Sequence, residues 1–112
     1  MSYKESETIA AIATAITPGQ GGIAIIRISG EEAEKVGKSI TKCPGNQTWG
    51  SHRILYGHVV DDAGKEQIDE VLILLMKAPR SFTGEDVLEI HCHGGLIAVQ
   101  RVLERVLRHP SV

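Results

Sequence analysis

Fifteen residues, Ser81 to Gly95 (SFTGEDVLEIHCHGG), constrain the fold of this chain more than any others. They join a turn to a strand pattern and end in two glycines before a helical pattern. In the strand, Leu88, Ile90 and Cys92 fall on one side, and Val87, Glu89, His91 and His93 on the other. One face is apolar, and the other carries groups able to do chemistry. Gly94 and Gly95 allow a sharp turn into a helix starting near Leu96, whose first N–H groups have no partner within the helix. The expectation is a ligand site where carboxylate, imidazoles and free amides converge.

The rest of the chain divides by period and punctuation. Thr8 to Ile16 reads as a strand, Gly19 to Gly22 as a turn, and Gly22 to Ile28 as a second strand. Ser29 with Glu32 has capping-box spacing, and Ala33, Val36 and Ile40 form the inner stripe of the helix it would open. Cys43 to Ser51 is a loop. Arg53 to Val60 and Ile68 to Met76 are strands joined by a hairpin at Asp61 to Gly64. Thr83 and Asp86 have the spacing of a single helical turn, with Phe82 expected as a core plug. After the fifth strand, Val87 to His93, comes an amphipathic helix with Leu96, Val99, Leu103, Val106 and Leu107 inward.

The predicted fold class is α+β: a five-stranded, mostly antiparallel sheet with two helices on one face. Yet Val71 to Met76 is apolar on both sides, as in a strand covered twice. A partner subunit, a further domain or a ligand must cover the second face. The chain closes at His109-Pro110-Ser111-Val112 directly after a helical pattern, which reads as part of a longer protein.

Composition narrows the function. A net charge of −2 provides no basic field for phosphates, and Tyr3, Trp49, Tyr56 and Phe82 are too few for a base-stacking platform. Cys43 and Cys92 lie far apart, no secretory signal opens the chain, and the longest apolar run is too short to cross a bilayer. A soluble cytoplasmic domain with reduced thiols, and no membrane contact, is expected. Pro18 to Gly22 is rich in glycine but feeds a strand and lacks the Gly-Lys-Ser/Thr of a phosphate loop. His91 and His93 are two ligands where a structural zinc site needs four, so no metal site is expected. Glu85 and Asp86 are adjacent and diverge, so they do not read as an acid–base pair.

Two charges interrupt apolar strands: Arg27 in IAIIRIS and Glu89 in VLEIHCH. Unpaired and buried, each would cost several kcal/mol. Either they pair with each other or lie on a wet face, or one or both meet a ligand. A carboxylate accepts parallel hydrogen bonds from an amino-pyrimidine edge, and Arg presents a fork to a carboxylate or carbonyl. On the ligand reading, Arg27→Ala and Glu89→Gln remove binding with little change in melting temperature.

The segments Thr17–Gly30 (TPGQGGIAIIRISG) and Ser81–Gly95 closely resemble the N-terminal domain of the tRNA-modification GTPase family, called MnmE or TrmE. The resemblance runs from Thr8 to Leu107. It implies that residues 1–112 form an N-terminal folate-binding and dimerisation domain, similar in fold to the folate-binding domain of aminomethyltransferases, with the helical and GTP-binding domains absent. The ligand it implies is 5-formyltetrahydrofolate or a related tetrahydrofolate, contacted by Arg27 and Glu89. A further family contact, a lysine of the helical domain, has no counterpart here, and His91-Cys92 departs from the family's usual residues. No catalytic residue is implied. The whole protein would be a homodimer acting on wobble uridine of tRNA with an FAD- and NADH-using partner, called MnmG or GidA. GTP hydrolysis, with its potassium and magnesium, belongs to the absent domain. The competing readings are a purely structural dimerisation domain and a stand-alone folate-dependent one-carbon transferase.

Overall fold

The computed structural model describes residues 7–13 and 23–112. Its six strands are β1 (Ile9–Ile12), β2 (Ala24–Ser29), β3 (Thr41–Lys42), β4 (Arg53–Val60), β5 (Gln67–Met76) and β6 (Val87–Cys92). Helix α1 (Ala33–Ile40) follows β2, and α2 (Gly95–Leu107) follows β6. The sheet order is β1-β2-β6-β5-β4-β3, with every neighbouring pair antiparallel. The α+β class and the two helices are as the sequence predicts. The sixth strand, β3, is two residues long and pairs Thr41 with Val59, too short for an alternating pattern to reveal it. The predicted turn at Gly19 to Gly22, and the end of the first strand beyond residue 13, lie outside the described residues.

One continuous core lies between the sheet and both helices. Ile26 and Ile28 of β2, Val71, Ile73 and Leu75 of β5, and Leu88, Ile90 and Cys92 of β6 meet Ala33, Val36 and Ile40 of α1 and Val99, Val102 and Val106 of α2. Period-2 spacing on the strands and three- or four-residue spacing on the helices put these groups on facing surfaces. Leu96 and Leu107 are exposed, contrary to expectation. The buried stripe of α2 is centred between Val99 and Val106, which draws in Val102 and leaves Leu107 on the flank. Arg105 ties the helix to the β4–β5 hairpin, its Nε donating to the Val60 carbonyl at 3.0 Å.

Three further expectations give way to tertiary contacts. Ser29 does not cap α1. It ends β2, and its hydroxyl lies 2.8 Å from Thr83 Oγ1 and donates to Glu85 Oε2. The α1 N-cap is Glu32, whose N–H is taken by Thr8 Oγ1 at 3.2 Å, so a neighbouring segment supplies the acceptor that a capping box would supply locally. Residues 80–85 form bends rather than a helical turn: Thr83 and Glu85 bond to Ser29 of β2, Asp86 takes the Ala78 amide, and the bonds within the loop, from the Ser81 hydroxyl to the Glu85 carbonyl and from the Glu85 N–H to Thr83 Oγ1, run through side chains. Phe82 is 66% exposed and plugs no core.

Candidate functional site

Antiparallel register places the two strand charges directly opposite each other. Arg27 on β2 pairs with Glu89 on β6, flanked across the sheet by Ala11 on one side and by Leu74 and then Ile54 on the other. The adjacent row reads Ile25, His91, Leu72, Tyr56. Alternation turns both rows away from the core, onto the face that α1 and α2 leave bare. Ile54 is 69% exposed there and Tyr56 39%, while Leu72 and Leu74 are half-buried. The doubly apolar strand is therefore covered by helices on one side only.

The pair makes a close ion pair. Arg27 Nη2 and Nε both donate to Glu89 Oε2, at 2.7 and 3.1 Å, and His91 Nε2 lies 3.0 Å from Oε1. The Glu89 side chain is 6% exposed and that of Arg27 35%, so the pair is shut from below and wet from above. Burial, the largest single influence, pushes the Glu89 carboxyl up. The hydrogen bonds and charges of Arg27 and then His91 together outweigh it, and the group sits below the usual carboxylate range. Glu89 is thus an ionised acceptor at neutral pH. The Arg27 guanidinium also lies 4.6 Å from the Phe82 ring centroid, a cation–π contact that gives this exposed ring its place.

The expected convergence of Glu89 with the start of α2 does not occur. The helix packs on the opposite face of the sheet, and Asp69 of β5 ties down the two residues that precede it. Its Oδ2 accepts the N–H groups of His93 at 2.9 Å and Gly94 at 3.2 Å. Gly94 makes room for this carboxylate, since a Cβ there would lie 2.9 Å from Asp69 Oδ1 and 2.5 Å from Ala98 Cβ. Asp69→Ala is expected to lower stability by about 1.5 kcal/mol, the low end for hydrogen bonds to a charged group. Urea unfolding measures it, and an unchanged midpoint would contradict this role.

The remaining candidates disperse. His93 donates from Nδ1 to the Glu70 carbonyl, away from His91. Among the described residues no three His, Cys, Asp or Glu side chains gather as metal ligands. Glu85 accepts from Ser29, while Asp86 accepts from the Ala78 amide and pairs with Lys77. Both cysteines are free, and burial, with Asp69 nearby, pushes the Cys92 thiol up to about 12, so it is no nucleophile. Sequence reasoning placed His91 on the face of Glu89, where it is found, but not its direct bond to the carboxylate, and it missed Phe82 as a member of the site, which a fold-dependent loop contact places there.

Residues 8–111 match the family model described as GTP-binding protein TrmE N-terminus. The tRNA modification GTPase MnmE of Prochlorococcus marinus (strain MIT 9303) is 72% identical over 106 residues, covering 95% of this chain and 23% of that protein. The protein of the same name from Synechococcus sp. (strain CC9902) is 69% identical over 106 residues, covering 95% of this chain and 24% of its own. The chain spans about a quarter of the length of these curated relatives. No described helix is long and apolar enough to cross a membrane. With the family model matched almost from end to end, this chain belongs to the TrmE N-terminal family.

Proposed function

We propose that residues 1–112 are the tetrahydrofolate-binding and homodimerisation domain of a cytoplasmic GTPase that modifies wobble uridine of tRNA. In this reading the helical and GTP-binding domains, with their potassium and magnesium, lie outside these residues. The FAD-dependent partner and the tRNA engage the whole protein. One observation carries the ligand assignment: an ionised, nearly buried carboxylate, Glu89, stands in the middle of a sheet face that no described helix covers.

The residues suit a pterin in kind. Three of the four lone-pair sites of the Glu89 carboxylate are taken, two on Oε2 by Arg27 and one on Oε1 by His91, so one site on Oε1 is open to a ligand N–H, and the second parallel bond of an amino-pyrimidine edge takes the place of one Arg27 bond. Among the described residues no partner takes Arg27 Nη1, which leaves it to meet a carbonyl or carboxylate, and Leu72, Leu74 and Ile54 offer apolar surface beside it. The recess bounded by Ile54, Leu72, Leu74 and His91 holds only about 50 Å³, against ~300–1,000 Å³ for typical ligand sites. The remaining walls must come from beyond the described residues, which fits assembly with a second copy or a further domain.

The Arg27–Glu89 pairing itself favours a second reading, a purely structural dimerisation domain in which the two charges only satisfy each other. Calorimetric titration of the full-length protein with 5-formyltetrahydrofolate separates the two. Saturable binding to a dimer supports the folate reading, and a dimer that takes up no folate supports the structural one.

A further inference from the structure

We propose that His91 is a positioning residue for Glu89: its Nε2–H fixes Oε1 while Arg27 fixes Oε2, so the carboxylate presents the remaining lone pair of Oε1 in one set direction. The terminal torsion of a glutamate is broad, and both Arg27 bonds bear on one oxygen, about which the carboxylate can still tilt. A third hydrogen bond, from the other side, stops that rotation. The observed contacts have this arrangement, with Oε2 held at 2.7 and 3.1 Å and Oε1 at 3.0 Å.

The chemistry places a proton on one ring nitrogen. Glu89 is ionised and can only accept, so His91 Nε2 must carry a proton. Across the strands His91 faces Ile25 and Leu72, both apolar, so its row supplies no competing side-chain partner. His93, the next residue on that side of the chain, is already engaged with the Glu70 carbonyl. Among the described residues, the charged groups beside the ring are Glu89 on its own strand and Arg27 beyond it on β2; the facing β5 residues, Leu72 and Leu74, bear no charge.

The ligand half of this inference rests on the folate reading; the positioning half does not. Ring ¹⁵N NMR on the protein is expected to show His91 protonated on Nε2. Carboxyl ¹³C titration is expected to show the Glu89 midpoint rising in His91→Ala. The same variant should bind 5-formyltetrahydrofolate about tenfold more weakly, as for one lost hydrogen bond to a charged group. His91→Gln, which keeps an N–H donor at that strand position, should recover most of the affinity and of the Glu89 midpoint. A bare Nε2, or an unmoved Glu89 midpoint in His91→Ala, overturns the proposal. If the wild type takes up no folate while His91→Ala still shifts Glu89, the folate reading fails and the positioning role stands.

Discussion

Arg27→Ala is expected to destabilise the domain by about 2–3 kcal/mol at neutral pH. Removing one partner of a buried ion pair costs ~3–5 kcal/mol, because the charge left behind has lost both water and its counter-ion. The Arg27 side chain is 35% exposed, so water can partly replace it, and the expected cost falls below that range. Glu89 cannot escape, since its side chain is 6% exposed and in register between β2 and β5. The sign of the pH dependence follows from the depressed Glu89 pKa. Its stabilising contribution is fully present above the usual 4.5 and is lost as pH falls through the lower folded value. In Arg27→Ala the penalty belongs to the ionised form and relaxes as acid protonates Glu89. Urea unfolding at neutral and acidic pH should therefore show the gap between wild type and variant narrowing as pH drops. A pH-independent gap would mean that lost packing on Phe82 dominates. The pairing also revises the sequence-based expectation that this substitution leaves the melting temperature alone.

Gly30→Ala is expected to cost about 3 kcal/mol, a fall of roughly 15 °C in Tm for a domain of this size. Gly30 links β2 to α1 with φ +141°, a conformation that side-chain-bearing residues rarely adopt. A Cβ there would also lie 2.5 Å from Thr8 Oγ1 and 2.6 Å from Thr8 Cα. Thr8 cannot yield cheaply, because that same oxygen accepts the Glu32 N–H at the start of α1. Thermal unfolding followed by circular dichroism measures the loss. A shift of only a few degrees would show that Thr8 and the β2–α1 turn move aside without strain.

Much of this architecture was legible because periodicity survives in the longer elements. Arg53–Val60 has the predicted bounds, and the alternation of Val87–Cys92 placed Glu89 and His91 on the face away from Leu88 and Ile90. What failed depended on partners distant in sequence. Ser29 has the spacing of a cap, but Thr83 and Glu85 compete for its hydroxyl. Phe82 is apolar enough for a core, yet its loop sets it beside a guanidinium. The two strand charges were visible as anomalies, but their pairing was not. β2 and β6 are separated by the whole run from α1 to β5, and only the crossover that makes them neighbours brings Arg27 to Glu89.

That carboxylate is where the functional account can be tested most directly. Titrating 5-formyltetrahydrofolate into the full-length protein and into its Glu89→Gln variant compares a charged acceptor with a neutral amide of nearly the same shape. The account predicts binding to the wild type and a loss of about tenfold to a hundredfold in the variant, as for a hydrogen bond to a charged group. The variant also loses the contribution of the ion pair, so its melting temperature should fall modestly, and the affinities are compared at a temperature where both proteins are folded. Equal affinity in both proteins would contradict the assignment of Glu89 as the folate contact.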